Sequence, residues 1–137
     1  MTSALSHEIT FRVRYAETDQ MGIVHHSVYF IWFEEARSDF MRARGSSYAE
    51  FERAGLLLPL SGASARFLAP ARYDQPVTVR VWVERLRSRT LTFGYEVRAA
   101  QSGQTLVTGS TTHIVTTRDG QVTTWPPEWR AKLLGPV

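Results

Sequence analysis

Residues 9–44 read ITFRVRY-AETDQMGIVHH-SVYFIWFEEARSDFMRAR, and this stretch decides the fold. From Ile9 to Tyr15, apolar and polar side chains alternate, which is typical of a strand with one buried face. From Ser27 to Arg44, aromatic residues recur at helical spacing, and neither Pro nor Gly interrupts them before Gly45, a typical helix stop. The helix is apolar on more than one side, so we expect it to be largely enclosed.

The rest of the chain consists mainly of predicted strands. Val77 to Val83 and Leu91 to Val97 alternate apolar and polar residues, and the β-branched stretch from Thr105 to Thr117 indicates one long strand. Two short helices are predicted, one from Tyr48 to Ala54 and one that begins near Pro127. This order predicts an α+β fold in which the long helix lies across the concave face of an antiparallel sheet, since nothing else is available to bury it. An edge strand of such a sheet could pair with another subunit.

Composition fits a single domain spanning residues 1–137. The chain has no Cys, which excludes disulfides and thiolate metal sites, and no apolar run approaches the length of about 20 residues that spans a bilayer. No secretory signal is recognisable at the N-terminus, so a cytoplasmic protein is expected.

The net charge of +3 is due to arginines that are interspersed with carboxylates. Because a nucleic-acid site normally clusters its basic residues on one face, no nucleic-acid partner is expected. The one local concentration is Arg85-Leu86-Arg87-Ser88-Arg89, between two predicted strands. It is explained equally well by a polar hairpin connection or by a phosphate site, since the guanidinium fork suits phosphate.

Asp19 is the strongest candidate for a chemical role. It lies three residues before Gly22 and just ahead of the long helix. The glycine permits a tight backbone path, and a helix start offers unpaired N–H groups. Together these features can hold a base or nucleophile beside an electrophilic carbonyl, although a solvated turn Asp is the alternative.

The chain resembles the hotdog-fold acyl-CoA thioesterases, specifically the 4-hydroxybenzoyl-CoA thioesterase and YbgC-like branch. The resemblance extends over residues 8–124 in matching order and spacing. The matching motifs are Arg14-Tyr15, Thr18-Asp19-x-x-Gly22-Ile23-Val24-His25, Tyr29, Phe33-Glu34-x-Ala36-Arg37 and Phe67-Leu68-Ala69-Pro70-Ala71. It implies a hotdog fold, in which a curved antiparallel sheet wraps around the one long central helix. It also implies a homodimer, often paired into a homotetramer, that hydrolyses acyl-CoA or acyl carrier protein thioesters at the dimer interface without metal or cofactor.

The resemblance also implies site roles. The family's catalytic Asp corresponds to Asp19, as nucleophile or general base, and the donor to the carbonyl oxygen corresponds to the backbone amide of His26. Gly22 would let the chain turn towards this donor. Arg87, Ser88 and Arg89 fall in the hairpin where relatives contact the CoA phosphates, which implies substrate binding there. His25 could bind the substrate, orient Asp19 or hold the loop. Tyr29, one helical turn later, could line the acyl pocket as a substrate-binding residue or pack in the core.

Glu34 lies on the long helix, and Ser27 lies where that helix begins. Glu34 matches a family Glu, for which we favour a buried pairing with Arg37 or a loop amide over catalysis in the partner's site. Many relatives carry Asn where this chain has Ser27. Ser27 can still cap the helix, but no amide is available there.

Two other functions of the hotdog fold are alternatives to thioester hydrolysis. A non-catalytic acyl-CoA-binding hotdog module should lose the carboxylate that Asp19 supplies, and a hotdog dehydratase should show a different His motif. The acyl group, and whether CoA or acyl carrier protein carries it, stay open.

Overall fold

The computed structural model describes residues 5–45 and 47–134. Within these ranges, three helices and seven strands form, along with one 3₁₀ turn at Tyr15–Glu17. The helices are α1 (Val28–Ala43), α2 (Tyr48–Arg53) and α3 (Pro127–Leu134). The strands are β1 (Ser6–Arg12), β2 (Leu56–Leu57), β3 (Leu60–Phe67), β4 (Pro76–Leu86), β5 (Thr90–Ala99), β6 (Thr105–Ile114) and β7 (Thr116–Thr117).

Five strands form one antiparallel sheet in the order β1-β4-β5-β6-β3, and β2 pairs with β7 separately. The predicted α+β architecture is confirmed, because α1 packs on this sheet through a buried aromatic face. Phe33 stacks on Tyr95 of β5 with ring centroids 4.2 Å apart. Gly109 of β6 permits this approach, since a Cβ there would lie 2.6 Å from the Phe33 ring.

The opposite face of α1 is open. Ile31 is 58% exposed, and Glu34 and Glu35 are exposed as well. The expectation of a largely enclosed helix is therefore wrong for the single chain, because the sheet covers only one side of it.

Two predicted strand boundaries are also wrong. β1 ends at Arg12, and Tyr15 lies 77% exposed in the 3₁₀ turn because the chain has already left the sheet. The predicted strand from Thr105 to Thr117 breaks at Val115. It breaks there because β5 begins at Thr90, opposite Ile114, so the sheet offers no partner beyond that pair.

The ends of α1 and α2 agree with those predicted from the glycines in the sequence. Gly45 and Gly55 follow α1 and α2 with φ of +77° and +88°, conformations that glycine adopts without strain. Within the described ranges, no helix combines the length and apolarity that crossing a membrane requires.

Candidate active site

Asp19 occupies a tight loop between the 3₁₀ turn and α1. Its N–H donates to Ile23 O at 2.8 Å, and Gly22 N–H donates to Asp19 O at 2.9 Å. Gly22 has φ of +80°, which a side chain would make costly. The carboxylate itself accepts the Met21 N–H through Oδ1 at 2.9 Å. The loop backbone thus fixes where the carboxylate sits.

The carboxylate lies at a cavity of about 340 Å³, open to solvent, that the loop, the start of α1 and the chain after β3 enclose together. Its lining is mostly apolar and consists of Asp19, Met21, Ile23, Val24, His26, Tyr29, Phe67, Leu68, Ala69 and Pro70. Three of the large apolar side chains, Met21, Phe67 and Leu68, are more than half exposed. An apolar pocket with a few polar groups is the common form of a small-molecule site.

Two backbone contacts hold the cavity together. Val24 N–H donates to Ala71 O at 2.9 Å, and Ile23 bridges Arg72 in antiparallel fashion. The loop is therefore fixed to the segment that leads into β4. This explains why residues far apart in sequence, such as Met21 and Pro70, line one cavity.

The two histidines differ in placement. His26 lines the cavity, whereas His25 does not. His25 Nδ1 lies 2.8 Å from Ser27 Oγ, and the two imidazole rings lie 4.2 Å apart. Among the hydrogen bonds of residues 5–45 and 47–134, none uses the backbone N–H of His26.

Ser27 stands at the N-cap position of α1 but does not cap the helix with its side chain. Its hydroxyl is engaged by His25, and its φ of −68° and ψ of −23° are already helical. The expectation of a side-chain cap is therefore wrong.

Glu17 lies beside the candidate site, but no role was predicted for it from the sequence. Although it is charged, only 8% of its surface is exposed. Burial opposes ionisation, but hydrogen bonds from Arg14 and Trp32 outweigh it and hold the pKa of Glu17 below its ordinary value. The Arg14-x-x-Glu17 spacing could have indicated this contact, since a Glu side chain can accept from a backbone N–H three residues earlier.

Glu34 does not form the buried pair expected of it. It is exposed, and the ion pairs of the described residues do not include it. The side chain of Arg37 turns instead towards the sheet, where Nη1 donates to the Tyr95 hydroxyl at 3.4 Å. The two side chains are neighbours on α1 and line one surface pocket, but Arg37 reaches inward to the Tyr95 hydroxyl while Glu34 remains exposed to solvent.

Arg87, Ser88 and Arg89 form the exposed connection between β4 and β5, which confirms a hairpin there. Arg87 N–H donates to Thr90 O at 3.0 Å, and the carbonyls of Ser88 and Arg89 accept N–H groups of Trp125 and Val115. The backbone is thus held firmly while the guanidinium groups face solvent. None of the three lines the Asp19 cavity.

Comparison with known proteins adds the family context. A sequence model described as the Thioesterase-like superfamily matches residues 13–133. YneP of Bacillus subtilis, which bears the provisional name of an acyl-CoA thioesterase, is 32% identical over 102 residues, 74% of this chain and 73% of its own. The acyl-CoA thioester hydrolase YbgC of Escherichia coli is 25% identical over 91 residues, 66% of this chain and 68% of its own.

A solved thioesterase structure is also similar to this chain. The DHNA-CoA thioesterase of Staphylococcus aureus superposes with a TM-score of 0.87 at 30% identity, covering 93% of this chain and 87% of its own.

Proposed function

Because the chain belongs to the thioesterase-like superfamily, we propose that it hydrolyses acyl-CoA thioesters to the free acid and CoA, with Asp19 as nucleophile or general base. One observation carries the assignment to Asp19. Its carboxylate stands at an apolar cavity that His26, at the start of α1, also lines. An acyl group in that cavity would bring its carbonyl between the carboxylate and the helix start.

Hydrolysis can follow either of two routes. Asp19 attacks the carbonyl carbon, CoA leaves as thiolate, and water hydrolyses the mixed anhydride. Alternatively, Asp19 takes a proton from a water that attacks the carbonyl directly, and the same thiolate leaves. Both routes put negative charge on the carbonyl oxygen. The backbone N–H of His26, with the positive end of the α1 dipole, stabilises that charge.

Other residues bind the substrate or hold the site in shape. Gly22 permits the turn that brings the loop to the helix start. Tyr29 forms part of the acyl pocket wall, and His25 orients the segment before α1 through its contact with Ser27. Arg87, Ser88 and Arg89 bind the CoA phosphates at the exposed β4–β5 connection.

The decisive test is Asp19→Asn, assayed by thiol release across a panel of acyl-CoA and acyl carrier protein thioesters. Loss of the base or nucleophile should lower kcat on the order of 10²-fold or more. Because the chain has no Cys, a thiol reagent detects only the released CoA when the substrate is an acyl-CoA.

Asp74→Asn is the matched control, since Asp74 is an exposed turn residue outside the cavity. It should retain wild-type turnover. Equal turnover by Asp19→Asn and wild type would remove Asp19 from the chemistry. Acyl-CoA binding without any thiol release by the wild type would instead identify a non-catalytic binding module.

A further inference from the structure

We propose that Glu17 is a positioning residue, a buried carboxylate that sets Asp19 at the correct distance from the start of α1. The inference rests on the proposed function, because it concerns the placement of the proposed catalytic group. Glu17 lies two residues before Asp19, and its own side chain points away from the cavity lining into the protein.

The carboxylate of Glu17 joins two separate elements. Its Oε1 accepts the Arg14 N–H at 2.8 Å, at the point where the chain leaves β1. Its Oε2 accepts the Arg14 guanidinium at 2.7 Å and the indole N–H of Trp32 at 2.8 Å. Trp32 is a buried residue of α1. The side chain therefore ties the base of the Asp19 loop to the helix.

The backbone of Glu17 adds a third attachment. Its carbonyl accepts the His25 N–H at 3.0 Å. Thr18 then bridges Val24, and Asp19 N–H donates to Ile23 O. The two sides of the loop are thus paired continuously from Glu17 to Asp19. The residue that begins this pairing is the one whose carboxylate is fixed to α1.

The attachment to Trp32 also reaches the cavity wall. Trp32 packs edge to face against Tyr29, with ring centroids 5.0 Å apart, and Tyr29 lines the cavity. One carboxylate therefore orients the loop that bears Asp19 and supports the wall opposite it.

Stability alone is a poor explanation for this arrangement. A buried carboxylate is expensive to desolvate, and an apolar residue of similar size often stabilises a protein as well. Burial and bonding instead give Glu17 a fixed geometry, which is what the placement of a reacting group requires. Its charge is retained at neutral pH, because the hydrogen bonds outweigh burial and lower its pKa.

The test is Glu17→Gln. Whichever way the amide is turned, its NH₂ must face either the Arg14 N–H or the Trp32 indole, so a donor opposes a donor. We expect kcat to fall on the order of 10-fold or more through misplacement of Asp19, with little change in KM. Independently of activity, hydrogen exchange should speed up at the amides of His25 and Met21, which bond to Glu17 O and Asp19 Oδ1.

Glu96→Gln is the matched control. Glu96 is also a partly buried carboxylate, bonded to Arg98 and Thr105, but it lies on β5 and does not touch the loop. It should lower the melting temperature without changing kcat or exchange at His25 and Met21. A purely structural role for Glu17 would make the two variants behave alike.

A double variant sharpens the test. Trp32→Phe removes the opposing indole, so in Glu17→Gln/Trp32→Phe the amide faces only the largely exposed Arg14 guanidinium, which can swing into solvent. The double variant should lose less kcat than the product of the two single losses.

The outcomes separate the two proposals. Absence of thioester hydrolysis by the wild type refutes the proposed function, while faster exchange in Glu17→Gln would still show that Glu17 holds the loop. An active wild type with normal kcat in Glu17→Gln overturns the positioning role, whether or not exchange changes. A fall in kcat with unchanged exchange also overturns it, since the loop would then not have moved.

Discussion

His113 is a buried residue whose pKa is lowered by its surroundings. Its Nδ1–H donates to Leu58 O at 3.2 Å, and its Nε2 lies 3.0 Å from Thr111 Oγ1. The Thr111 hydroxyl also contacts the Tyr95 hydroxyl, which accepts from Arg37. With its proton on Nδ1, the neutral imidazole can accept the Thr111 hydroxyl at Nε2. Burial, reinforced by the charge of Arg37, lowers the pKa of His113 from 6.5 to about 4.

Stability should therefore fall as the solution is acidified. The unfolded chain binds a proton at His113 near pH 6.5, whereas the folded chain does so only near pH 4. The stabilisation is complete above pH 6.5 and is lost as the pH falls towards 4. Between about pH 7 and about pH 5, urea unfolding should show a loss of roughly 2 kcal/mol from this residue.

His113→Gln provides the comparison, because Gln can still bond to Thr111 but does not titrate. The variant should be less stable near neutral pH and show a shallower dependence of unfolding free energy on pH over this range. An unchanged pH slope would mean that His113 is not the group responsible.

Asp19 could be proposed as a site residue from the sequence, because its local spacing to Gly22 and to the helix start singles it out. Glu17 and Glu34 could not be assigned so readily, because their environments depend on other elements. Glu17 is buried because Trp32 of α1 and Arg14 after β1 converge on it. Glu34 is exposed because the sheet covers the other face of α1. Residue type and local pattern do not specify either fact.

At the scale of elements, the β4–β5 connection combines a fixed backbone with free side chains. Arg130 Nη1 donates to Arg87 O at 3.4 Å, and Trp125 N–H donates to Ser88 O at 3.0 Å, so the C-terminal segment braces this turn. Within the described part of the chain, no ion pair involves Arg85, Arg87 or Arg89. Exposed guanidinium groups on a rigid turn are suited to phosphate.

Arg87→Ala and Arg89→Ala should each raise KM for acyl-CoA more than they lower kcat. Phosphate contacts far from the carbonyl stabilise ground and transition states alike. The effect should weaken with added salt and with an acyl-pantetheine that lacks the nucleotide. Arg53→Ala, which removes the same charge from α2, serves as control. Equal losses on full-length and truncated thioesters would show that these arginines act through structure.

The interiors of the helices and strands could be predicted from the sequence, whereas their ends often could not. The period of Val77 to Val83 and the aromatic spacing of α1 are local properties, so sequence revealed them. The end of β1 at Arg12 and the break at Val115 depend on where a partner strand stops. Glycine-marked ends are the exception, because Gly45 and Gly55 set the helix ends through their own backbone conformation.

At the scale of the whole molecule, the sheet has an uncovered edge. β3 is exposed along nearly its full length, and large apolar side chains at its ends, Leu60 and Phe67, are more than half exposed. An exposed edge strand is a template for pairing with another chain. The open side of α1 adds further uncovered apolar surface at Ile31.

We expect the protein to be a dimer or tetramer, and light scattering should give a multiple of the 15.6 kDa chain mass. Leu60→Lys places a charge on the β3 edge and should favour dissociation, with loss of thioester hydrolysis. Val122→Lys, an equally exposed position near the Gly120 turn, should change neither property. A fully active monomer would contradict both the assembly and a site shared between subunits.

The sheet order also determines when the Asp19 loop can form during synthesis on the ribosome. β1 pairs with β4, and Val24 N–H bonds to Ala71 O, so β1 and the Asp19 loop rely on partners that are translated after them. Until β4 to β6 emerge, α1 has no sheet to cover Phe33, and the nascent chain exposes that aromatic face to solvent or to a chaperone. The candidate site is therefore translated before the strands that complete it, and it is assembled only after they have emerged.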